Sequence, residues 1–341
     1  MSQLAEIETA RLVAEEDYGL VPLENIEMVS GGRVNSTFGV LSPQGRFILQ
    51  RLHPVFGADG RVVENSARAA QSMSAGGLPA PLARPTLRGS WWSGREGVWR
   101  LSLWLPGRPP SERSPATAAE AARVLGSFHR ALRDFPPDLG PPPQAEFNRE
   151  PASGGDDWVE LKTKHRGEAK FRRAEAAIDK GLALGKTIPA IESATRAVLH
   201  GDPKLENFLF DESGRGLTLI DLDTVREGAL LWELADALRS WAGKRTPGRE
   251  IILDGPVFRA GVESYLRHGL ELSSRERSAL PEAAAAATLN LARRYLDDFF
   301  QESYFSWDRV SYPSLAEQNF SRAWEYLRLA GQFLEKRGEL L

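Results

Sequence analysis

The chain contains no cysteine and few lysines. The first absence excludes disulfides, thiolate metal sites, iron–sulfur clusters and cysteine nucleophiles. The second is uneven: of 43 basic residues 8 are lysine, and the first of these is Lys162. No mechanism can therefore draw on a lysine from the first 161 residues. Positive charge is not in excess either. The net charge of -3 leaves no global basic field for nucleic acid or an anionic membrane. No run of about 18 apolar residues exists, so no membrane span is expected. The opening twenty or so residues lack the basic and apolar regions of a signal peptide and read as an acidic amphipathic helix, so the expected compartment is the cytoplasm. The five histidines (53, 129, 165, 200 and 268) show no metal-ligand spacing.

What remains is an ordinary globular composition, with 42% apolar and 26% charged residues over 341 positions, enough for about two domains. Strand signals at 26–29, 36–41 and 46–52 are separated by glycine and proline turns, which predicts an antiparallel meander. A helix over 61–75 and an aromatic strand at 99–105 complete a small sheet lobe. From residue 106 the pattern turns helical: 116–132, 160–184, 228–241, 257–268, 281–300 and 314–336. Residues 135–151 are proline-dense and read as loop. The expected fold is α+β in two lobes, 1–105 and 106–341, the first a small antiparallel sheet and the second mainly helical.

One segment concentrates reactive side chains. An apolar strand at 197–199 runs into His200-Gly201-Asp202, with Lys204 two residues and Asn207 five residues after the aspartate, and a further apolar strand ends in Asp221. Any one of these alone reads as a turn former, but the joint pattern matches the needs of phosphoryl transfer. That chemistry wants a carboxylate to orient an acceptor hydroxyl, oxygen ligands for Mg²⁺, and a cation at the γ-phosphoryl group. Asp202 fits the first role, Asn207 and Asp221 the second, and Lys204 the third, with Asp223 as a further carboxylate at the metal. The segment 181–187 imitates a P-loop but has three residues between its glycines instead of four and continues a charged helix.

The loop at 200–207 resembles the catalytic loop of protein kinases. Gly201 and Ile220-Asp221 bring it nearer the aminoglycoside phosphotransferases and choline kinases. The runs 220–225, Gly228 and Asp236 to Arg239 are similar to the N-acetylhexosamine 1-kinases, as are 31–37, 48–51, 55–56 with Glu64-Asn65, 294–296 with 304–305, and 319–322. The resemblance spans roughly residues 20 to 330 and implies a two-lobed protein-kinase-like fold that uses ATP and Mg²⁺ to phosphorylate a hydroxyl of a small molecule. The implied acceptor is a sugar such as an N-acetylhexosamine, with no nucleic-acid or membrane partner. Departures at Arg33, Glu233 and Gln318 leave the sugar open. Aminoglycoside, choline or homoserine transfer, or a catalytically silent nucleotide-binding protein, are the alternatives.

The same resemblance implies nucleotide contacts. Gly31 and Gly32 form the expected phosphate flap, and the backbone of Leu103 and Leu105 would meet the adenine edge between the lobes. The third strand of such kinases carries a lysine paired with a helix glutamate. Here that strand has no lysine, and the clamp is expected from Gln50 or Arg51, with Glu64 as the helix partner. Acceptor contacts are expected from Arg33, Asn35, Asp202, Arg239, Asn319 and Arg322. For the tryptophans of the second half, Trp232, Trp241, Trp307 and Trp324, core packing is the favoured role over sugar stacking.

Overall fold

A computed structural model describes residues 3–29, 35–57, 59–135, 139, 155–246 and 250–341. The first element is helix α1 (Gln3–Leu12), followed by strands β1 (Asn25–Met28), β2 (Ser36–Ser42) and β3 (Gly45–Arg51). Helix α2 (Arg61–Ala75) comes next, then β4 (Ala83–Arg84) and β5 (Trp99–Leu103). The five strands form one antiparallel sheet in the order β1-β2-β3-β5-β4. The meander and the helix at 61–75 are as the sequence predicts. The two-residue β4 is too short to show an alternating pattern and carries no such signal.

Side chains alternate between the two faces of a sheet, and here the alternation sorts function from packing. Phe38, Val40, Phe47, Leu49, Trp99 and Leu101 bury one face together with Ala10, Val13, Ala14 and Tyr18 from α1 and the turn after it. Gln50 and Arg100 are paired across β3 and β5 and project from the opposite face. Arg51 falls on the packed face, where its guanidinium lies 4.0 Å from Glu6 of α1 and donates to the Glu96 carbonyl.

The second lobe opens with α3 (Pro115–Ala131), α4 (Asp156–His165) and α5 (Phe171–Thr187). Ser114 caps α3 by accepting from the Thr117 amide, with Pro115 at the first helical position. The expected single helix over 160–184 is two helices. His165 turns the chain: its ring stacks on Phe300 with centroids 4.0 Å apart, and its two nitrogens meet Glu168 and Asp297. The P-loop look-alike lies inside α5, which runs two residues past Gly185.

Two short hairpins follow. Strands β6 (Arg196–Leu199), β7 (Phe208–Phe210), β8 (Gly216–Leu219) and β9 (Arg226–Ala229) pair as β6 with β9 and β7 with β8. Gly228, expected to open a helix, belongs to β9, and helix α6 (Leu230–Ala242) starts just beyond it. The hairpin β10 (Gly243–Arg245) and β11 (Ile251–Leu253) leads to α7 (Gly255–His268), the short α8 (Ser274–Ser278), α9 (Leu280–Gln301) and α10 (Leu315–Glu335). The main core lies among α3, α6, α7, α9 and α10, and α2 contributes Ala69, Ala70 and Met73 to it. No helix among the described residues is long and apolar enough to cross a membrane.

Candidate active site

The loop between β6 and β7 is held rigidly from beneath. Gly201 has φ +87°, and a Cβ there would run into Arg226 and Thr224, so only glycine fits. The buried Glu233 of α6 accepts the amides of His200 (2.6 Å) and Gly201 (3.0 Å). Burial would raise the Glu233 carboxyl, but His129 and Arg226 outweigh it and hold the pKa below the usual carboxylate value. His129 lies 3.5 Å from Glu233 and shares a 2.8 Å hydrogen bond with the Tyr265 hydroxyl. His200 accepts the Asp202 amide at Nδ1 (3.3 Å) and donates from Nε2 to the Ile220 carbonyl (2.9 Å). Burial lowers its pKa, which fits the neutral ring that this bonding requires. The Trp241 indole donates to the Pro203 carbonyl at 2.8 Å, a packing role as expected.

On this base the reactive side chains meet. Lys204 Nζ touches Asp202 Oδ2. Asn207 donates its amide to the Asp202 carbonyl at 2.8 Å and lies 3.3 Å from Asp202 Oδ2. The Ile220 amide donates to the Asn207 carbonyl (2.8 Å), which locks the end of β8 to the loop and brings Asp221 beside Asp202. Asp221 adopts a left-handed conformation, φ 68° and ψ 60°, a costly one for a residue with a side chain. It is open to the cleft by surface area, yet protein surrounds it closely. That desolvation, with Asp223 and Asp202 nearby, raises its carboxyl to about 7 despite Arg100 and Lys204.

The sheet lobe reaches the same place by a residue that the sequence analysis missed. Arg100 of β5 donates from Nε (2.9 Å) and Nη2 (2.7 Å) to Gln50 Oε1, and Nη1 makes a buried ion pair with Asp223. Gln50 also donates to Thr37 Oγ1 at 3.1 Å. Of the two expected clamp residues, Gln50 faces the cleft and Arg51 does not, because strand alternation sends it to α1. Glu64 is exposed on α2. The α2 residue that faces Arg100 is Ser66, 3.5 Å away, so the expected glutamate partner is replaced. Asn35, expected at an acceptor, donates to Asp223 Oδ2 at 2.8 Å and accepts the His53 amide at 2.9 Å. The Leu103 amide donates to the Leu82 carbonyl (3.0 Å), so it is not the expected donor to a base; Leu105 follows β5 and is half-buried. Gly31, Gly32 and Arg33 lie outside the described residues.

Within electrostatic reach of Asp202 lies Arg239, and with it a cluster of rings and guanidinium groups. Arg239 is held by Asp236 through two contacts of 2.9 and 2.6 Å, with Tyr326 and Asp202 within its electrostatic reach. Tyr295 stacks on Phe305 (3.8 Å) and, more loosely, on Tyr326 (5.6 Å). Arg322 lies 3.3 Å from Glu325 and packs over Tyr312. Asn319 is fully buried, which corrects its expected place at an acceptor. It donates to Asp298 Oδ2 at 2.8 Å, and Asp298 accepts the amides of Ser303, Tyr304 and Phe305. Asn319 therefore holds the loop that presents Phe305.

Residues 25–261 match the family model described as phosphotransferase enzyme family (APH). Among solved structures, a microcompartment-associated aminopropanol kinase is 16% identical with a TM-score of 0.64, covering 98% of each chain. An amicoumacin kinase in complex with AMP-PNP, Ca²⁺ and Ami gives 0.61 at 12% identity, covering 95% of this chain and 93% of that one. A choline kinase from Cryptosporidium parvum Iowa II gives 0.60 at 13% identity, covering 97% of each. The architecture is thus the two-lobed kinase-like fold of these proteins, a small antiparallel sheet over a larger helical lobe. With the family model matched across more than half its length, the chain belongs to the phosphotransferase enzyme family, a group of small-molecule phosphotransferases that act on hydroxyl groups.

Proposed function

We propose that the chain is an ATP- and Mg²⁺-dependent kinase whose acceptor is a sugar hydroxyl, with residues 1–105 binding the nucleotide and 106–341 the acceptor. The observation that carries the reading is that Lys204 and Asn207 both contact Asp202 on the loop after β6, with Asp221 within electrostatic reach at the end of β8, which the His200–Ile220 hydrogen bond ties to that loop. The carboxylates fit a divalent cation. Asp221 has Asp202 and Asp223 within electrostatic reach, Asp223 being itself paired with Arg100, and a doubly charged ion bound by one or two carboxylates plus phosphate oxygens would offset that repulsion. Asp221 and the Asn207 side-chain oxygen would hold it. When bound, Mg²⁺ supplies charge neutralisation on the phosphates.

Asp202 accepts the hydrogen bond of the acceptor hydroxyl, orients it in line and takes its proton. Lys204, alongside Asp202, stabilises charge on the transferred group. Gly201 and His200 fix the loop so that Asp202 does not reorganise during the step. The sugar reading is supported by the sequence resemblance: Asp236 and Glu325 balance the charge of Arg239 and Arg322, and the rings of Tyr295, Phe305 and Tyr326 offer apolar surface to a pyranose and to a quaternary ammonium alike. An ATP-consumption screen across hexosamines, hexoses, aminoglycosides, choline and homoserine tests this. Turnover with a hexose or hexosamine at least about tenfold above the amines is expected. Preference for an amine replaces the sugar, and nucleotide binding without transfer to any acceptor points to a silent protein.

A further inference from the structure

Family members expected from the sequence draw a lysine from the third strand, and this chain has none there. We propose that Arg100, on the neighbouring strand β5, is the cation that meets the nucleotide's phosphates, and that Asp223 of the metal-side loop holds it in place of a helix glutamate. The inference rests on the phosphoryl-transfer reading above and goes beyond it, since neither the motif nor the comparisons point to residue 100.

Three observations carry it. The register pairs Arg100 with Gln50 directly across β3 and β5, so its side chain leaves the sheet on the face that looks into the cleft. Its guanidinium is oriented from two sides: Gln50 accepts from Nε and Nη2, and Asp223 pairs with Nη1. Gln50 is in turn fixed by Thr37, so a neutral residue at the lysine position positions the neighbouring cation. Finally, of the two other basic side chains of this strand pair, Arg51 is turned to the packed face by alternation, and Arg46, at the start of β3, lies over the Trp104 ring at 4.4 Å. Arg100 is thus brought from the sheet to the loop of Asp221 and Asp223, while Lys204 serves from the opposite lobe. A guanidinium presents several donors in a plane and suits phosphate oxygens better than a point charge, so a longer side chain from the next strand can do a lysine's work.

A purely structural latch between lobes would involve the same ion pair. The two accounts differ in what they do to phosphate recognition. Titration calorimetry with Mg·ADP and with adenosine gives the ratio of their affinities, which isolates the phosphate contribution from the base pocket and from the fold. In Arg100→Met the ratio is expected to fall at least tenfold, with adenosine affinity within twofold of wild type. Lysine placed at the β3 position in the same background (Gln50→Lys with Arg100→Met) is expected to recover most of it. Should Arg100→Met not fold, Arg100→Lys retains the charge with fewer donors, and its ratio is expected to fall about threefold. An unchanged ratio in whichever of the single variants folds overturns the proposal. A wild-type chain that binds neither Mg·ADP nor adenosine overturns the phosphotransferase reading beneath it, and this proposal with it.

Discussion

At the scale of single residues, the proposed site separates groups assigned to the reactants from groups that hold them. Asp202 and Asp221 stand at the cleft, whereas Glu233, His200 and Gly201 lie under the loop and act through it. Replacing Asp202 by Asn keeps the shape but removes the proton acceptor. Turnover is expected to drop by about 10²–10⁴, the usual contribution of a general base. Asp221→Asn is expected to lose turnover as fully for a different reason, loss of the cation ligand. Its melting temperature should be unchanged or raised, because it relieves a carboxylate crowded by Asp223 and Asp202. Near-normal turnover in either purified, folded variant would defeat the assignment. The Asp202–Asn207 spacing was legible because all its members sit on one short loop. The role of Glu233 was not, since it comes from a helix about thirty residues on and acts through backbone amides that carry no side-chain signature.

At the scale of elements, loops are fixed by buried carboxylates that accept several amides at once. Asp298 on α9 takes three amides of the 303–305 loop and is itself met by Asn319 on α10. Asp298→Ala leaves those donors unpaired and loosens Phe305 against Tyr295. The expected result is a KM for the acceptor raised several-fold with the KM for ATP unchanged, which steady-state kinetics with each substrate varied would show. Glu276 does the same for α8. It accepts the Thr195 amide (2.9 Å), the Ala194 amide (3.1 Å) and the Ser273 amide (2.9 Å), closing a capping box. Burial would raise its carboxyl, but these hydrogen bonds outweigh that and bring it to about 2. A folded-state pKa below the unfolded value stabilises the protein above the unfolded pKa, and that stability is lost as pH falls from about 4.5 towards 2. Glu276→Gln should therefore melt lower than wild type at pH 7, with the gap closing on acidification. A gap that stays constant with pH would mean the carboxylate's charge contributes nothing.

At the scale of the whole molecule, the two lobes meet through the site. Arg100 and Asn35 of the sheet lobe both hold Asp223, and Ser66 of α2 donates to the Leu222 carbonyl at 3.1 Å. A ligand that binds this cleft therefore touches contacts that also join the lobes. Saturating Mg·ADP at about a hundred times its Kd should stabilise the fold by about 2.7 kcal/mol. A rise in melting temperature that chelation of the metal largely cancels is the expected result of differential scanning fluorimetry. No shift in either condition would argue against a metal–nucleotide site in this cleft.

By itself the amino-acid sequence determined the first-lobe meander and most of the longer helices, since helix and strand periodicity and turn chemistry are local, but not the two-residue β4, the break between α4 and α5, or the β10–β11 hairpin. It also determined the reactive loop, whose members are close in the chain, and it excluded a lysine clamp outright. Only the tertiary structure decided which side chains share a face across strands. Gln50 and Arg100 are fifty residues apart and meet through antiparallel register, whereas Arg51, adjacent to Gln50, is turned away by the pleat. The tertiary structure also moved Asn319 from the expected acceptor wall into the core, because helix packing sets which side of α10 is buried. Proximity in the chain is written in the sequence; proximity across it is set by register and packing.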